Sequence, residues 1–291
     1  MRLGLNWVSV RNEEELEDTL ALIDDLGLGT VSAPGTMSEW SVERCEAYGE
    51  MVRNHGLTIG EYGYWENLLT RDKAERTQQI RTVQEVLKRA DAMGVDCVVT
   101  LAGTFGGSWA GAPHPDNWSD EAWEMVVENC QRILDGVSLE HTRYALEPWY
   151  NTFFHRPQLV RSLIDAVDRP GLGVHMDAMN MHSIQDVYQS KQLIDEAFDL
   201  LAHDVASVHV KDIHWDPDHG ILQLEEVLPG DGSMDYDRYV QRLDELPDDV
   251  AVFTEHWETD EEFVETMHRL HDIAERNGVT FVERTDAVDG T

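Results

Sequence analysis

Residues 172–211, LGVHMDAMNMHSIQDVYQSKQLIDEAFDLLAHDVASVHVK, decide how this chain folds. They begin with a short apolar run at 172–177 and end with a second one at 205–211. Between the two runs, an apolar stripe recurs at helical spacing: Ile194, Ala197 and Leu201. The stretch therefore predicts a strand–helix–strand unit, in which the helix connects two strands of one parallel sheet.

The same alternation of apolar runs and amphipathic segments recurs on both sides of this unit. The other strands are predicted near residues 3–7, 30–32, 57–61, 95–101, 144–147 and 250–255. Eight strand–helix units predict an α/β fold, a single (β/α)₈ TIM barrel over residues 1–291 with 284–291 as a polar C-terminal tail. A doubly wound sheet is the competing fold, but the first strand is not followed by a glycine-rich phosphate-binding turn.

The composition restricts the classes of partner. The 291 residues include 57 Asp and Glu against 22 Lys and Arg, for a formal net charge of −35. Such an acidic surface repels phosphate groups, so we expect neither a nucleic acid nor a membrane as partner. Its acidity and scarce lysines resemble proteins of halophilic, salt-accumulating organisms, in which high ionic strength screens self-repulsion. The sequence leaves the oligomeric state open, and a homo-oligomer is compatible with it.

Three further features predict a cytoplasmic protein. No apolar run is long enough to span a bilayer. The first residues turn polar too soon for a signal peptide. Cys45, Cys97 and Cys130 lie far apart without a CxxC pair, which argues against a disulfide framework or a structural zinc site.

One end of the predicted barrel is expected to carry the function. Helix-to-strand connections are short, whereas three strand-to-helix connections are long: residues 103–118, 179–189 and 212–233. In a (β/α)₈ barrel these loops all lie at the C-terminal ends of the strands, where active sites are built.

Polar side chains end the last four predicted strands. Because successive side chains alternate between faces, the barrel interior is predicted to receive Glu147, Asp177, His209 and Glu255. Three carboxylates and an imidazole are costly to bury together unless a cation compensates their charge. Oxygen-rich ligation with one histidine suits Mn²⁺, Mg²⁺ or Co²⁺, with Zn²⁺ as a further option. The sequence thus predicts one divalent metal ion on these four ligands, with positions left for a chelating substrate.

Polar residues close to the ligands in the sequence are candidates for substrate binding. Asn180, His182 and His256 lie in or beside the long loops. Lys211 and Asp212 directly follow the strand that carries the histidine ligand. Two roles stay open for this last pair, contact with the substrate and an ion pair at the strand end.

The second half of the chain resembles the xylose isomerase-like TIM-barrel superfamily, in its sugar phosphate isomerase/epimerase branch. The resemblance rests on the stretches 145–148 (ALEP), 174–180 (VHMDAMN), 208–212 (VHVKD), 228–236 (LPGDGSMDY) and 254–256 (TEH). It implies that the four predicted ligands are the family's metal ligands and that Glu147 and Glu255 are its catalytic proton-transfer pair. Asn180 departs from the pattern, because sugar epimerases of this branch often carry histidine there.

The resemblance implies a metal-dependent enzyme of carbohydrate metabolism. An isomerase or epimerase would act on a small sugar, a ketose or keto-polyol, through an enediolate stabilised by the metal. Loss of a β-hydroxyl from the same enediolate would instead make the enzyme a dehydratase (a lyase) similar to inosose dehydratase. A nuclease similar to endonuclease IV shares the barrel, but it needs a larger histidine-rich zinc cluster and a basic groove. A barrel that binds sugar without turnover is the last alternative.

Overall fold

The computed structural model describes residues 1–6, 10–107, 109–216, 218 and 223–285. The strands within these ranges are β1 (Arg2–Leu5), β2 (Thr30–Ser32), β3 (Thr58–Gly63), β4 (Val95–Leu101), β5 (Arg143–Glu147), β6 (Leu172–Asp177), β7 (Val205–Val210), β8 (Asp212–Trp215), β9 (Leu224–Val227) and β10 (Ala251–Thr254). All except β8 and β9 pair in parallel and close into a barrel in the order β1–β10–β7–β6–β5–β4–β3–β2. The predicted α/β TIM barrel is therefore confirmed.

Helices connect the barrel strands and cover the outside of the barrel. In the described chain they are α1 (Glu13–Asp25), α2 (Val42–Asn54), α3 (Lys73–Met93), α4 (Asp120–Asp135), α5 (Pro157–Val167), α6 (Ser190–Leu201), α7 (Tyr236–Leu243) and α8 (Asp260–Arg276). Each buries one apolar stripe, and in α6 this stripe contains the predicted Ile194, Ala197 and Leu201. None of the described helices is both long and apolar enough to cross a bilayer.

Local sequence signals determine where the helices begin and end. The Ser119 side chain accepts a hydrogen bond from the Ala122 amide and begins α4, and Asp235 does the same for α7 through the Arg238 amide. Gly94 ends α3 with a φ of 80°, in the left-handed region that glycine adopts without strain.

A phenylalanine fills the barrel interior below the site. Phe253 pairs with His209 across β10 and β7. A Cβ atom at Gly4 or Gly60 would overlap the Phe253 ring, so β1 and β3 need glycine at these positions. The Phe253 ring is thus closely packed inside the barrel, beside His209 on β7.

Two parts of the chain differ from the sequence-based picture. The long connection 212–233 contains an antiparallel ribbon of β8 and β9, which the sequence did not predict. The first residue of the predicted tail, Arg284, packs against the barrel. Its backbone amide donates to the Leu28 carbonyl at 3.0 Å, and the Arg284 guanidinium contacts Asp24. Residues 286–291 of the predicted tail lie outside the described residues.

Candidate metal centre

The four predicted ligands come together at the C-terminal end of the barrel. Glu147 and Asp177 are the last residues of β5 and β6, His209 lies in β7, and Glu255 directly follows β10. Each offers one ligand atom, and these atoms all lie within 4.8 Å of one another. Parallel strands all end on this side of the barrel, and the alternation of side chains turns these four inward.

The surroundings of Glu147 and Glu255 shift the pKa values of the two side chains in opposite directions. Burial raises the pKa of Glu147 well above its ordinary value, and the charges of Glu255 and Asp177 raise it further. Burial also disfavours the charged form of Glu255, but His209 and Lys211 more than offset this and hold its pKa well below the ordinary value. A positive charge between the two carboxylates would favour ionisation of both.

Lys211 supplies part of this positive charge. Its ammonium nitrogen lies 2.9 Å from Oδ2 of Asp177 and also contacts Glu255, and the side chain is 2% exposed. Burial lowers the pKa of an ammonium, but the three carboxylates Asp177, Glu255 and Glu147 raise that of Lys211 well above its ordinary value. The formal charge of three carboxylates and one ammonium is −2, which one divalent cation would neutralise.

The predicted histidine ligand, His209, has one ring nitrogen directed at the carboxylates. Nδ1 of His209 lies 3.1 Å from Oε2 of Glu255 and 4.0 Å from Oε1 of Glu147. It is buried, and its nearest partner among the described residues is the Glu255 carboxylate. A buried imidazole nitrogen that faces carboxylates forms, together with them, an oxygen-rich donor set of the kind that divalent cations bind. The residues present therefore fit a metal ion.

Asn180 lies among the ligands. Its side-chain amide donates to Oε1 of Glu147 at 2.8 Å and to Oδ2 of Asp177 at 3.0 Å. Its backbone N–H donates to Oδ1 of Asp177 at 3.0 Å. The buried amide of Asn180 thus orients two of the predicted ligands, and its contact with a substrate stays a prediction.

His182 and Asp212 have partners outside the cluster. The ring nitrogens of His182 pair with the Ala178 carbonyl at 2.7 Å and the Ser190 hydroxyl at 3.0 Å. The Asp212 carboxylate accepts four backbone hydrogen bonds from Ile213, Gly230, Gly232 and Met234. These bonds brace the loops after β6 and β7, and the structure does not bring either side chain into the group of ligands.

His256 lies at the mouth of the site. Its backbone has a φ of 64°, which is rare outside glycine. Its Nδ1 lies 2.8 Å from Oε2 of Glu226 in β9, and its Nε2 lies 3.7 Å from Oε2 of Glu255. Together with Lys211 these residues line a cavity of about 440 Å³ next to the ligands.

Glu61 is a site residue that the sequence analysis missed. It lies in β3, is 6% exposed, and places Oε1 at 3.2 Å from Nε2 of His209. The signal was available, because Glu61 is a carboxylate at the end of the predicted strand 57–61. Polar ends were predicted to form the site only for the last four strands, and β3 is not one of them.

Comparisons with known proteins agree with this architecture. The solved D-psicose 3-epimerase of Clostridium cellulolyticum H10, with D-tagatose, has 13% identity over 96% of this chain and 100% of its own, at a TM-score of 0.69. A probable 3-DHS dehydratase from Bacillus anthracis has 16% identity over 93% of this chain and 99% of its own, at a TM-score of 0.67. A xylose isomerase-like TIM-barrel protein from Mycobacterium smegmatis, in complex with magnesium, has 15% identity over 95% of this chain and 97% of its own, at a TM-score of 0.65.

The similarity to solved structures at these identities establishes the fold alone. No curated protein sequence matches the chain significantly. The model of a protein family described as xylose isomerase-like TIM barrel matches residues 20–273, which is most of the chain and includes all four predicted ligands. This chain therefore belongs to the xylose isomerase-like TIM-barrel family.

Proposed function

We propose that the protein is a divalent-metal-dependent isomerase or epimerase of a ketose or keto-polyol. The observation that carries the proposal is the convergence of Glu147, Asp177, His209 and Glu255 at the barrel end, with the buried Nδ1 of His209 directed at the carboxylates. Solved structures of similar fold include an epimerase with its sugar and a protein in complex with magnesium, which supports this reaction class and cofactor.

The four ligands would hold the metal ion. Mn²⁺, Mg²⁺ and Co²⁺ suit a set of three carboxylates and one imidazole, and Zn²⁺ is a further option. A bound divalent cation would polarise the substrate carbonyl and stabilise the negative charge that develops when the adjacent carbon loses its proton.

Glu147 and Glu255 are the proposed proton-transfer pair. One carboxylate removes the proton from the carbon next to the carbonyl, and the other returns a proton to the resulting enediolate. Return to the opposite face of the same carbon gives an epimer, and return to the former carbonyl carbon gives an isomer.

Lys211 and His256 are the proposed substrate contacts. Lys211 brings a buried ammonium to the ligands, and the half-exposed His256 lies beside Glu255 at the cavity mouth. Both side chains can donate hydrogen bonds to substrate hydroxyl groups.

Proton exchange tests the proposal directly. The Mn²⁺- or Mg²⁺-loaded protein is incubated with a panel of ketoses and inososes in D₂O. We expect deuterium at the carbon next to the carbonyl of at least one sugar, and a rate about 10²–10⁴-fold lower in Glu147→Gln and Glu255→Gln. Undiminished exchange in either glutamine variant would contradict the proton-transfer roles. An absence of exchange across the panel would contradict the enediolate reaction.

A dehydratase acting on a keto-polyol is the second candidate. The Lys211 ammonium beside Glu255 favours it, because a cation next to the proton-transfer group would also assist departure of a β-hydroxyl. One solved structure of similar fold is a probable dehydratase. In the same D₂O experiment this reaction would give an ultraviolet-absorbing enone in place of a deuterated epimer or isomer.

A further inference from the structure

A second group of polar side chains lies inside the barrel next to the candidate metal centre. It consists of Glu61, His175 and His209, whose ligand-type atoms lie within 4.8 Å of one another. The two groups share only His209, which directs Nδ1 at the metal ligands and Nε2 at Glu61. The imidazole therefore connects a carboxylate on β3 with carboxylates on the far side of the barrel.

Glu61 has few other partners. Its Oε2 forms no hydrogen bond with any described residue, and it lies 3.6 Å from Nδ1 of His175. That His175 nitrogen is already paired with the Ser207 hydroxyl at 2.6 Å. The observed hydrogen bond of the Glu61 side chain is thus the one to Nε2 of His209 at 3.2 Å.

The backbone around Glu61 holds the carboxylate in this place. The Glu61 carbonyl accepts a hydrogen bond from the Ala33 amide at 2.8 Å. The register between β2 and β3 shifts at this point, so that Ser32 pairs with Glu61 while Val31 pairs with Ile59. An irregularity of this kind redirects a side chain, and irregularities are common next to active sites.

A buried carboxylate with one hydrogen bond costs stability unless it has a role that compensates. An imidazole that binds a metal through one nitrogen must carry its proton on the other, and an acceptor at that proton fixes the tautomer and the ring orientation. We propose that Glu61 is a positioning residue, which accepts the Nε2 proton of His209 and thereby leaves Nδ1 directed at the metal. This inference rests on the metal centre proposed above.

Metal affinity is the first readout. Mn²⁺ alone is titrated into wild-type protein, Glu61→Leu and Glu61→Gln, and the dissociation constants are measured by calorimetry. We expect Glu61→Leu to weaken Mn²⁺ binding about 10- to 100-fold, because the acceptor is lost. Glu61→Gln keeps an acceptor oxygen and should lose less than Glu61→Leu.

Ser207→Ala is the matched control. It removes the hydrogen bond to His175 in the same buried region but does not touch Nε2 of His209. We expect it to lower stability and leave the Mn²⁺ dissociation constant unchanged. A loss of affinity in Ser207→Ala equal to that in Glu61→Leu would overturn the inference, since general loosening of the interior would then explain both.

Nuclear magnetic resonance of histidine in ¹⁵N-labelled, Mg²⁺-loaded protein gives a readout that does not need the leucine variant to fold. We expect the imidazole whose ¹⁵N signals respond to Mg²⁺ to carry its proton on Nε2. That proton signal should move in Glu61→Gln and stay in place in Ser207→Ala. A proton on Nδ1, or no movement in Glu61→Gln, would overturn the role of Glu61. Failure of the wild-type protein to bind Mn²⁺ or Mg²⁺ would overturn the metal centre itself.

Discussion

At the scale of single residues, Glu147 and Asp177 share one neutral donor, the side-chain amide of Asn180. Two like charges that both accept from one amide are held in a fixed relative position. The donor adds no charge, so it orients the carboxylates without competing with a cation for them. A histidine here would add a second imidazole to the group, and asparagine keeps the ligand set rich in oxygen.

Asn180→Ala should weaken metal binding. Both carboxylates lose a donor at 2.8–3.0 Å, so their orientation is no longer fixed before the metal binds. We expect the Mn²⁺ dissociation constant to rise about 10- to 100-fold in calorimetry. Asn129→Ala is the control, because Asn129 is equally buried but donates to the Leu68 carbonyl on the outside of the barrel. Equal affinity loss in both variants would contradict the specific role of Asn180.

At the scale of elements, the connections at the opposite end of the barrel determine where the ligand-bearing strands begin. The carboxylate of Asp91, near the end of α3, accepts backbone hydrogen bonds from Glu140, His141 and Thr142 at 2.8–3.1 Å. This loop leads into β5, which ends in Glu147. Burial opposes the charge of Asp91, but the three amides outweigh burial and hold its pKa below the ordinary value.

Asp91→Ala should lose stability in a pH-dependent manner. A depressed carboxyl pKa in the folded state stabilises the fold fully above the unfolded pKa of about 3.9, and this contribution is lost as the pH falls through the folded pKa. We expect urea unfolding at pH 7 to show a loss of about 1–3 kcal/mol for Asp91→Ala. The gap to wild type should shrink from pH 5 to pH 3. A gap that stays constant or widens on acidification would contradict the assignment.

The strand period explains which site residues could be predicted from the sequence. Alternation alone predicts that Glu147 and Asp177 face inward, because successive side chains of a strand point to opposite faces of the sheet. No such period governs the turn after β6, where Asn180 points to the ligands and His182, two residues further, points to Ser190. Proximity in sequence therefore could not show that Asn180 would lie among the predicted ligands and that His182 would pair with the loop instead.

The ribbon of β8 and β9 was missed for a related reason. Each strand has only four residues, and although β8 (DIHW) alternates between polar and apolar side chains, β9 (LEEV) does not. The position of the ribbon depends on Asp212, whose carboxylate accepts hydrogen bonds from the backbone amides of Gly230 and Gly232, some twenty residues away. A contact over that distance in sequence leaves no local pattern.

At the scale of the whole molecule, the charge is strongly unbalanced. Twenty-two basic residues cannot compensate 57 acidic ones, and the formal net charge of −35 remains. Ion pairs such as those of Arg71 with Asp116 and Glu121 are exposed and contribute little each. Repulsion among the unpaired carboxylates therefore outweighs attraction over the surface.

Salt should stabilise the protein. Raising NaCl from 0.05 M to 1 M shortens the Debye length to about 3 Å and screens the repulsion. We expect the free energy of unfolding to rise by at least about 1 kcal/mol, which for a chain of 291 residues is roughly 1.5–2 °C in Tm. Thermal unfolding followed by circular dichroism measures this, with KCl as the control for a specific effect of Na⁺. A Tm that falls with NaCl would mean that the ion pairs dominate.

The position of a bound metal ion tests the central claim most directly. A crystal grown with Mn²⁺ is measured at a wavelength where manganese scatters anomalously. We predict one strong anomalous peak per chain, within roughly 2–2.5 Å of carboxylate oxygens of Glu147, Asp177 and Glu255 and of Nδ1 of His209. No peak among these four side chains in a crystal saturated with Mn²⁺, or a peak only elsewhere on the acidic surface, would contradict the account.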